Sequence, residues 1–233
     1  MKINKLILFA FVLCTNAFGQ VTFSPEHIIT TTQNIPVSVF CTDIDGDNFK
    51  DIIVASYGDD KICWYKNNGN DTFGSVDTIS AIAYHVRGIY AKDLNGDNYI
   101  DIISAEEWAN KIAWYENDGS GNFVNHTIST SASSAQSVFS IDIDGDGDND
   151  VISASKIDGK IACYKNNGNG TFGTQQIITT LAASQSVFSI DIDNDSDNDV
   201  LSASINDNKI SLSKNNSSFL LKARSLPKEY WNS

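Results

Sequence analysis

Short apolar runs alternate with polar turns along most of the chain. The runs are rich in β-branched and aromatic residues, and the turns are rich in Asp, Asn and Gly. Runs such as residues 52–56 place apolar side chains on both faces of an extended strand, whereas no stretch after the N-terminus shows the three-to-four spacing of a helix. The pattern predicts an all-β protein of short strands joined by tight turns.

The pattern is repeated along the chain. An Asp-rich loop of nine residues occurs four times, at residues 43–51, 93–101, 142–150 and 191–199. An aromatic residue precedes each loop and a β-branched run follows it. An internal period near 50 residues is typical of repeat proteins, whose units bury their faces only against neighbouring units.

Each unit is predicted to contain four strands. The first ends at the Asp-rich loop, the second follows it, and the third opens with Lys-Ile, as at Lys61 and Lys111. The fourth follows an Asn-Gly turn such as residues 67–70, because Asn and Gly tolerate a positive φ. Four-stranded units of this length predict an antiparallel β-propeller with four visible blades.

The two ends of the repeat array differ from its middle. Residues 23–32 resemble residues 172–181, so we expect an N-terminal fourth strand that can close the ring against the third strand of the last unit, near residues 209–214. Residues 222–233 match nothing upstream, and residues 217–233 are assigned as a divergent tail. A closed small ring and an open partial propeller both remain possible.

The N-terminus has the pattern of an export signal. Lys2 and Lys5 precede an apolar run over residues 6–14 that is too short to span a bilayer, and Ala17 and Gly19 supply the small residues of a cleavage site. We therefore predict a signal peptide at residues 1–19, propeller repeats at 20–216 and a secreted or cell-surface location. The mature chain has no second apolar run, which predicts no transmembrane segment.

The charge is strongly acidic and concentrated in the loops. With 29 acidic and 16 basic residues the net charge is −13, which argues against a nucleic-acid partner. Seventeen of the acidic residues lie inside the four loops. So many like charges in short loops are unfavourable without a cation.

The acidic residues of the loops have the spacing of calcium ligands. Side chains at loop positions 1, 3, 5 and 9, with the backbone carbonyl of position 7, can supply the six to eight hard oxygen atoms that calcium takes. Position 4 is Gly in three loops and Asn194 in the last, where the chain must turn sharply. The predicted ligands are Asp43, Asp45, Asp47, Phe49, Asp51, Asp93, Asn95, Asp97, Tyr99, Asp101, Asp142, Asp144, Asp146, Asp148, Asp150, Asp191, Asp193, Asp195, Asp197 and Asp199.

Other metal sites fit these loops less well. An EF-hand needs Glu at position 12 and a following helix, whereas Val54 or Ser occupies that position within a β-branched run. Zinc prefers His and Cys, and magnesium keeps more of its waters. We predict up to four structural Ca²⁺ ions, with loop 2, where Asn95 replaces Asp, binding more weakly than loop 3.

The motifs together resemble a known family. Asp-x-Asp-Gly-Asp-x-x-x-Asp, an Ile/Val run, Trp-Tyr and Asn-Asn-Gly-x-x-x-Phe-Gly are similar to the FG-GAP or VCBS repeat of integrin α-chain propellers and many bacterial surface proteins. The resemblance covers residues 23 to about 215. It implies a calcium-stabilised propeller that serves in adhesion or is attached to an exported enzyme.

A binding or adhesion module is the function that we favour from the sequence. Its partner would be a protein or glycan ligand at the cell surface, and open blade edges would allow self-association. Trp64 and Trp114 recur at the same strand position and are expected in the core between blades. Trp108 lies in a turn without a repeat equivalent, so it is either a surface contact or part of a packed turn.

A polysaccharide-cleaving enzyme, or its accessory domain, is the alternative function. Such chemistry needs a convergent acid and base outside the calcium loops. His27, His85 and His126 lie at unlike places in their units, and the side chains of Glu106 and Glu107 point apart on an extended chain. We therefore predict no catalytic residues and no organic cofactor. A structural spacer in a larger surface assembly is a third possibility.

Overall fold

A computed structural model describes residues 23–216, which form four antiparallel sheets of three or four strands. Blade 1 contains β1 (Pro36–Thr42), β2 (Asp51–Ser56), β3 (Lys61–Asn67) and β4 (Phe73–Ser80). Blade 2 contains β5 (Val86–Lys92), β6 (Asp101–Glu106), β7 (Lys111–Asn117) and β8 (Phe123–Ser129). Blade 3 contains β9 (Ala135–Ile141), β10 (Asp150–Ser155), β11 (Lys160–Tyr164) and β12 (Gln176–Thr180), and blade 4 contains β13 (Ser184–Ile190), β14 (Asp199–Ser204) and β15 (Lys209–Ser213).

Every blade is a meander in which consecutive strands pair. The repeat extends to the register: Val39 of β1 lies opposite Val54 of β2, and Ile89 of β5 lies opposite Ser104 of β6 in the next blade. A short 3-10 turn, Tyr57–Asp59, joins β2 to β3. The predicted all-β blade architecture is confirmed.

The hydrophobic core lies between successive blades. The first strands of neighbouring blades pack together in the order β1, β5, β9 and β13. Each of three buried clusters joins an isoleucine of one blade's third strand to a β-branched residue of the next blade's first strand. The three pairs are Ile62 with Ile89, Ile112 with Val138, and Ile161 with Val187.

Aromatic residues complete the packing between blades. The third-strand aromatics Trp64, Tyr65, Trp114, Tyr115 and Tyr164 are all buried, which confirms the predicted place of the two tryptophans in the core. A second set forms a column along the first strands, where successive ring centroids are 4.9, 4.7 and 4.8 Å apart. The column consists of Phe40, Tyr90, Phe139 and Phe188.

The expected N-terminal strand is not formed, and that prediction is wrong. Residues 23–31 have no strand structure. Similarity to residues 172–181 reflects local β-propensity, but a strand also needs a partner along its length. Within residues 23–216 no strand pairs with the outer edge of β15, so the described blades form a partial propeller.

Other predicted segments lie outside the described residues. These are the signal peptide, residues 1–19, and the divergent tail, residues 217–233. Between residues 23 and 216, no helix has the length and apolar character needed to cross a membrane.

Candidate metal centres

Each Asp-rich loop connects the first and second strands of its blade. The Asp at position 9 opens the second strand and is fully buried in all four blades. In blade 1, the Asp51 carboxylate accepts hydrogen bonds from the backbone N–H groups of Ile44, at 3.0 Å, and Asn67, at 2.8 Å. The carboxylate thereby ties the loop to the end of the third strand. Asp101, Asp150 and Asp199 make the same pair of bonds.

The Asp at position 1 shapes the turn of the loop. Asp43 Oδ1 accepts from the N–H of Gly46, and Oδ2 accepts from that of Asn48, both at 2.8 Å. Gly46 has φ +76°, and Asn194, at the same position in loop 4, has φ +61°. Both residue types tolerate this left-handed region, as the loop spacing predicts.

Three of the four loops bring together carboxylates that can hold a metal ion. In each group the donor oxygens lie within 4.8 Å of one another. The groups are Asp43, Asp45 and Asp51; Asp142, Asp144 and Asp146; and Asp191, Asp193 and Asp199. Among the described residues, loop 2 forms no such group of carboxylates, because position 3 is Asn95. Asp146, at position 5, belongs to the loop 3 group, whereas position 5 of the other loops and position 7 of all four lie on the turn between these strands. The role of every predicted ligand stays a prediction.

A lysine near the end of the third strand, or directly after it, contacts the position-3 carboxylate in three loops. Lys165 Nζ lies 2.6 Å from Asp144 Oδ2, and Lys214 Nζ lies 2.8 Å from Asp193 Oδ2. Lys66 pairs with Asp45 in the same way. The hydrogen bond to Asp144 raises the pKa of Lys165 above its usual range. Our reading of the loops alone missed these cations, although their spacing of 21 residues from position 3 is regular.

Loop 2 replaces both members of this pair. Asn95 stands for the aspartate, and Glu116 stands for the lysine. The Asn95 amide donates to Glu116 Oε1 at 3.2 Å, and Glu116 Oε2 lies 2.8 Å from His126 Nε2. The negative charge that loop 2 lacks at position 3 is therefore supplied by the neighbouring strand.

The electrostatics of the loops favour a bound cation. Burial, reinforced by neighbouring aspartates, raises the pKa of Asp101 to about 7 and that of Asp150 to about 6. Asp144 Oδ1 is buried and has no hydrogen-bond partner in the described part of the chain. A bound hard cation would stabilise the ionised form of the buried carboxylates and would give Asp144 Oδ1 a partner. The all-oxygen donor set fits calcium better than zinc.

An asparagine at or just after the end of the third strand links each of loops 1, 2 and 3 to the following blade. Asn117 of blade 2 donates to the carbonyl of Ile44, in loop 1, at 2.9 Å. It also donates to the carbonyl of Ile100 at 3.1 Å and accepts from the N–H of Gly119 at 3.0 Å. Asn166 and Asn215 reach the preceding loops through the carbonyls of Leu94 and Ile143, both at 2.6 Å. The Asp-rich loops are thus part of the contact between blades.

An aromatic and charged group lies at the other end of the strands, where blades 1 and 2 meet. The Trp108 and His85 rings are stacked, with centroids 3.6 Å apart and planes 5° from parallel, and Tyr57 meets His85 edge-on at 4.3 Å. The Arg87 guanidinium lies 4.3 Å from the centre of the Tyr57 ring, and its Nε donates to Glu107 Oε2 at 2.7 Å. We call these five residues the Trp108 cluster.

The Trp108 cluster has no counterpart in the other blades. The turn position of Trp108 is Gly58 in blade 1, Ile157 in blade 3 and Asn206 in blade 4. Trp108 is 69% exposed, so it is a surface residue, as one of the two sequence interpretations held. The sequence shows Trp108 as a tryptophan without a repeat equivalent, but the residues of its cluster come from three separate segments of the chain.

Comparison with protein families identifies the repeat. The FG-GAP-like repeat matches in three overlapping copies, at residues 43–104, 93–153 and 142–202. No curated protein matches the chain.

Solved structures align with most of the described chain at low sequence identity, and one of them shares the fold. An Agrocybe aegerita lectin, described as recognising non-reducing terminal N-acetylglucosamine, aligns with 78% of this chain at 22% identity and a TM-score of 0.53. The V. cholerae biofilm matrix protein Bap1 aligns with 76% of it at 23% identity and a TM-score of 0.47. The alignments cover 52% of the lectin chain and 26% of the Bap1 chain, so this chain spans about half and a quarter of their lengths.

Proposed function

The chain belongs to the FG-GAP-like repeat family, and from this we propose that it is an exported, calcium-stabilised propeller module that binds a glycan at the cell surface through the Trp108 cluster. The acidic loops support the calcium part of the proposal. The exposed, stacked indole of Trp108 is the observation that carries the glycan part.

Calcium in this proposal has a structural role. The aspartates at positions 1 and 3, with position 9 in loops 1 and 4 and position 5 in loop 3, would hold the ion, whose charge would offset the repulsion among the carboxylates. Because position 9 is bonded to the third strand and position 2 to the next blade, ordering a loop also orders the blade contact. The ion is therefore assigned to stability and is not assigned to ligand contact.

Trp108 provides the kind of surface on which a sugar ring packs. One face of the indole is covered by His85, while the side chain as a whole remains largely exposed. A pyranose has an apolar face of C–H groups that can stack on such a ring, and tryptophan often dominates binding surfaces. A large indole held by a second ring loses little conformational freedom when a ligand binds.

Charged groups beside the indole can hydrogen-bond the sugar hydroxyls. The Arg87 guanidinium is held by Glu107 and by the Tyr57 ring, and Glu107 Oε1 accepts from Ser134 Oγ at 3.0 Å. These contacts fix donors and acceptors next to Trp108 before a ligand arrives. A stacking ring bordered by a few oriented polar groups is typical of small-ligand sites.

A glycan array tests the proposal directly. The chain without its predicted signal peptide should bind a defined set of glycans, and Trp108→Ala should weaken binding at least about 10-fold. Ile157→Ala, at the equivalent turn of blade 3, is the matched control and should bind like wild type. Glycans ending in N-acetylglucosamine are the first probes, since the lectin with a similar fold recognises that sugar.

The alternative functions give different results in the same experiment. Cleavage of a bound polymer would favour the polysaccharide-cleaving enzyme over the binding module. Absence of glycan binding with a folded, calcium-loaded chain would reject the glycan site and favour a spacer or a protein ligand. Equal binding by Trp108→Ala and wild type would reject the Trp108 cluster as the contact.

A further inference from the structure

The outer faces of blades 1 and 4 expose positions that are buried everywhere else in the repeat. Val39 of β1 is 69% exposed, whereas its equivalents Ile89, Val138 and Val187 are only 5–6% exposed. At the opposite end Ile210 of β15 is 86% exposed, while the equivalent isoleucines of the first three blades are fully buried. Exposed apolar faces of this kind mark interaction surfaces.

These two faces are the two halves of the contact that already joins the blades. Every internal interface holds the third-strand isoleucine of one blade and the first-strand β-branched residue of the next in one buried cluster, as with Ile161 and Val187. Blade 4 presents the isoleucine half, as Ile210, and blade 1 presents the β-branched half, as Val39. Both residues are exposed, so the described blades of one chain do not join these halves to each other.

We propose that a second copy of this chain covers these faces, with blade 4 of each copy packed on blade 1 of the other. The interface would repeat the internal one, joining Ile210 of one copy to Val39 of the next. The aromatic column would continue across it, because Phe188 is half-exposed at one end and Phe40 begins the other. Two copies of four blades make eight, which is within the range of closed propellers.

The proposed contact is head-to-tail, so the rotation between copies decides how many copies an assembly contains. Head-to-tail contacts close into rings when the rotation between copies allows it and otherwise grow into filaments. Eight blades from two copies close the ring and leave neither face exposed, so a dimer is the expected species. A second copy fits better than an unrelated partner because the chain itself carries both complementary halves.

Sedimentation and light scattering of the chain without its predicted signal peptide, in millimolar calcium, test the proposal. Wild type should form a concentration-dependent dimer. Val39→Asp and Ile210→Asp should each weaken association at least about 100-fold, because each buries an unpaired charge in both interfaces. Ile157→Asp, at a strongly exposed isoleucine away from both faces, should associate like wild type. Circular dichroism establishes that the variants remain folded.

Mixing the two single variants provides a sharper test. A Val39→Asp copy keeps a wild-type blade 4 face, and an Ile210→Asp copy keeps a wild-type blade 1 face. Together they should form a one-to-one complex through that single intact contact, although neither variant dimerises alone. Only a head-to-tail pairing of these two faces predicts this complementation.

The proposal is overturned by a wild-type chain that stays monomeric up to about 100 µM, as it would if another segment of the same chain covered the faces. Association that neither substitution weakens also overturns it. A ladder of larger species, sensitive to both substitutions, would keep the pairing of faces but overturn the two-copy ring. Glycan binding through Trp108 does not depend on these faces, so the two proposals fail separately.

Discussion

Replacing Asn117 by Ala should destabilise the fold far more than the same change at Asn67. Both asparagines end a third strand, donate to a carbonyl of their own blade and accept from the N–H of a glycine two residues on. Of these two asparagines, only Asn117 also donates to the preceding blade, at the carbonyl of Ile44. Asn67 lies in the first blade and is therefore a matched control.

The expected difference follows from burial and from the lost bonds. Asn117 is fully buried, and replacing it by Ala leaves two carbonyl oxygens and one N–H group without this hydrogen-bond partner. A buried polar group left without a partner costs about 1–3 kcal/mol, whereas an exposed hydrogen bond contributes about 1 kcal/mol. We expect a loss of at least about 3 kcal/mol in the free energy of unfolding for Asn117→Ala, from three unpaired groups, and of at most about 2 kcal/mol for Asn67→Ala, from two exposed hydrogen bonds.

Urea unfolding at a fixed calcium concentration measures the two losses, and titration calorimetry gives a second result. Ile44 lies at position 2 of loop 1, so Asn117→Ala should also weaken calcium binding at that loop, although the substitution is in blade 2. Equal losses of stability in the two variants would refute the coupling between blades. Unchanged calcium affinity in Asn117→Ala would refute the claim that the bond orders loop 1.

Two further predictions concern the metal loops. Millimolar calcium should raise the melting temperature markedly over EDTA, since each site adds about 2.7 kcal/mol at a hundredfold excess over its Kd, and coincident melting curves would contradict calcium binding. Lys165→Met should tighten calcium binding at loop 3 by about 3-fold to 10-fold, because the lysine competes with the ion for Asp144. Lys160→Met, which breaks a similar ion pair with Asp158 outside the loops, is the control, and titration calorimetry that finds both variants equal to wild type would count against the competition.

The sequence alone was sufficient for the repeat and for the local chemistry of each unit. The period, the meander of strands and the buried Trp64 and Trp114 were predictable because alternation and turn composition act over a few residues. The approach of the carboxylates at positions 1 and 3, seen in three loops, was predictable because a tight loop determines where its own side chains point. No contact between distant segments is needed for any of these features.

Partners from other strands were decided only by the tertiary structure. Lys165 reaches Asp144 and Asn117 reaches Ile44 because the third strand ends beside a loop of the same or the preceding blade. The Trp108 cluster likewise brings together side chains from three segments. Single-sequence patterns carry no direct signal for such contacts, since register and blade packing set the distances.

The remaining features depend on where a unit lies in the repeat array. Residues 23–31 have the sequence of a fourth strand but form none, because a strand depends on a neighbouring edge as well as on its own residues. Val39 and Ile89 are equivalent in sequence, yet one is largely exposed and the other buried. The difference arises because a residue is buried only when a second surface packs against it, and only the folded arrangement shows which surfaces have such a neighbour.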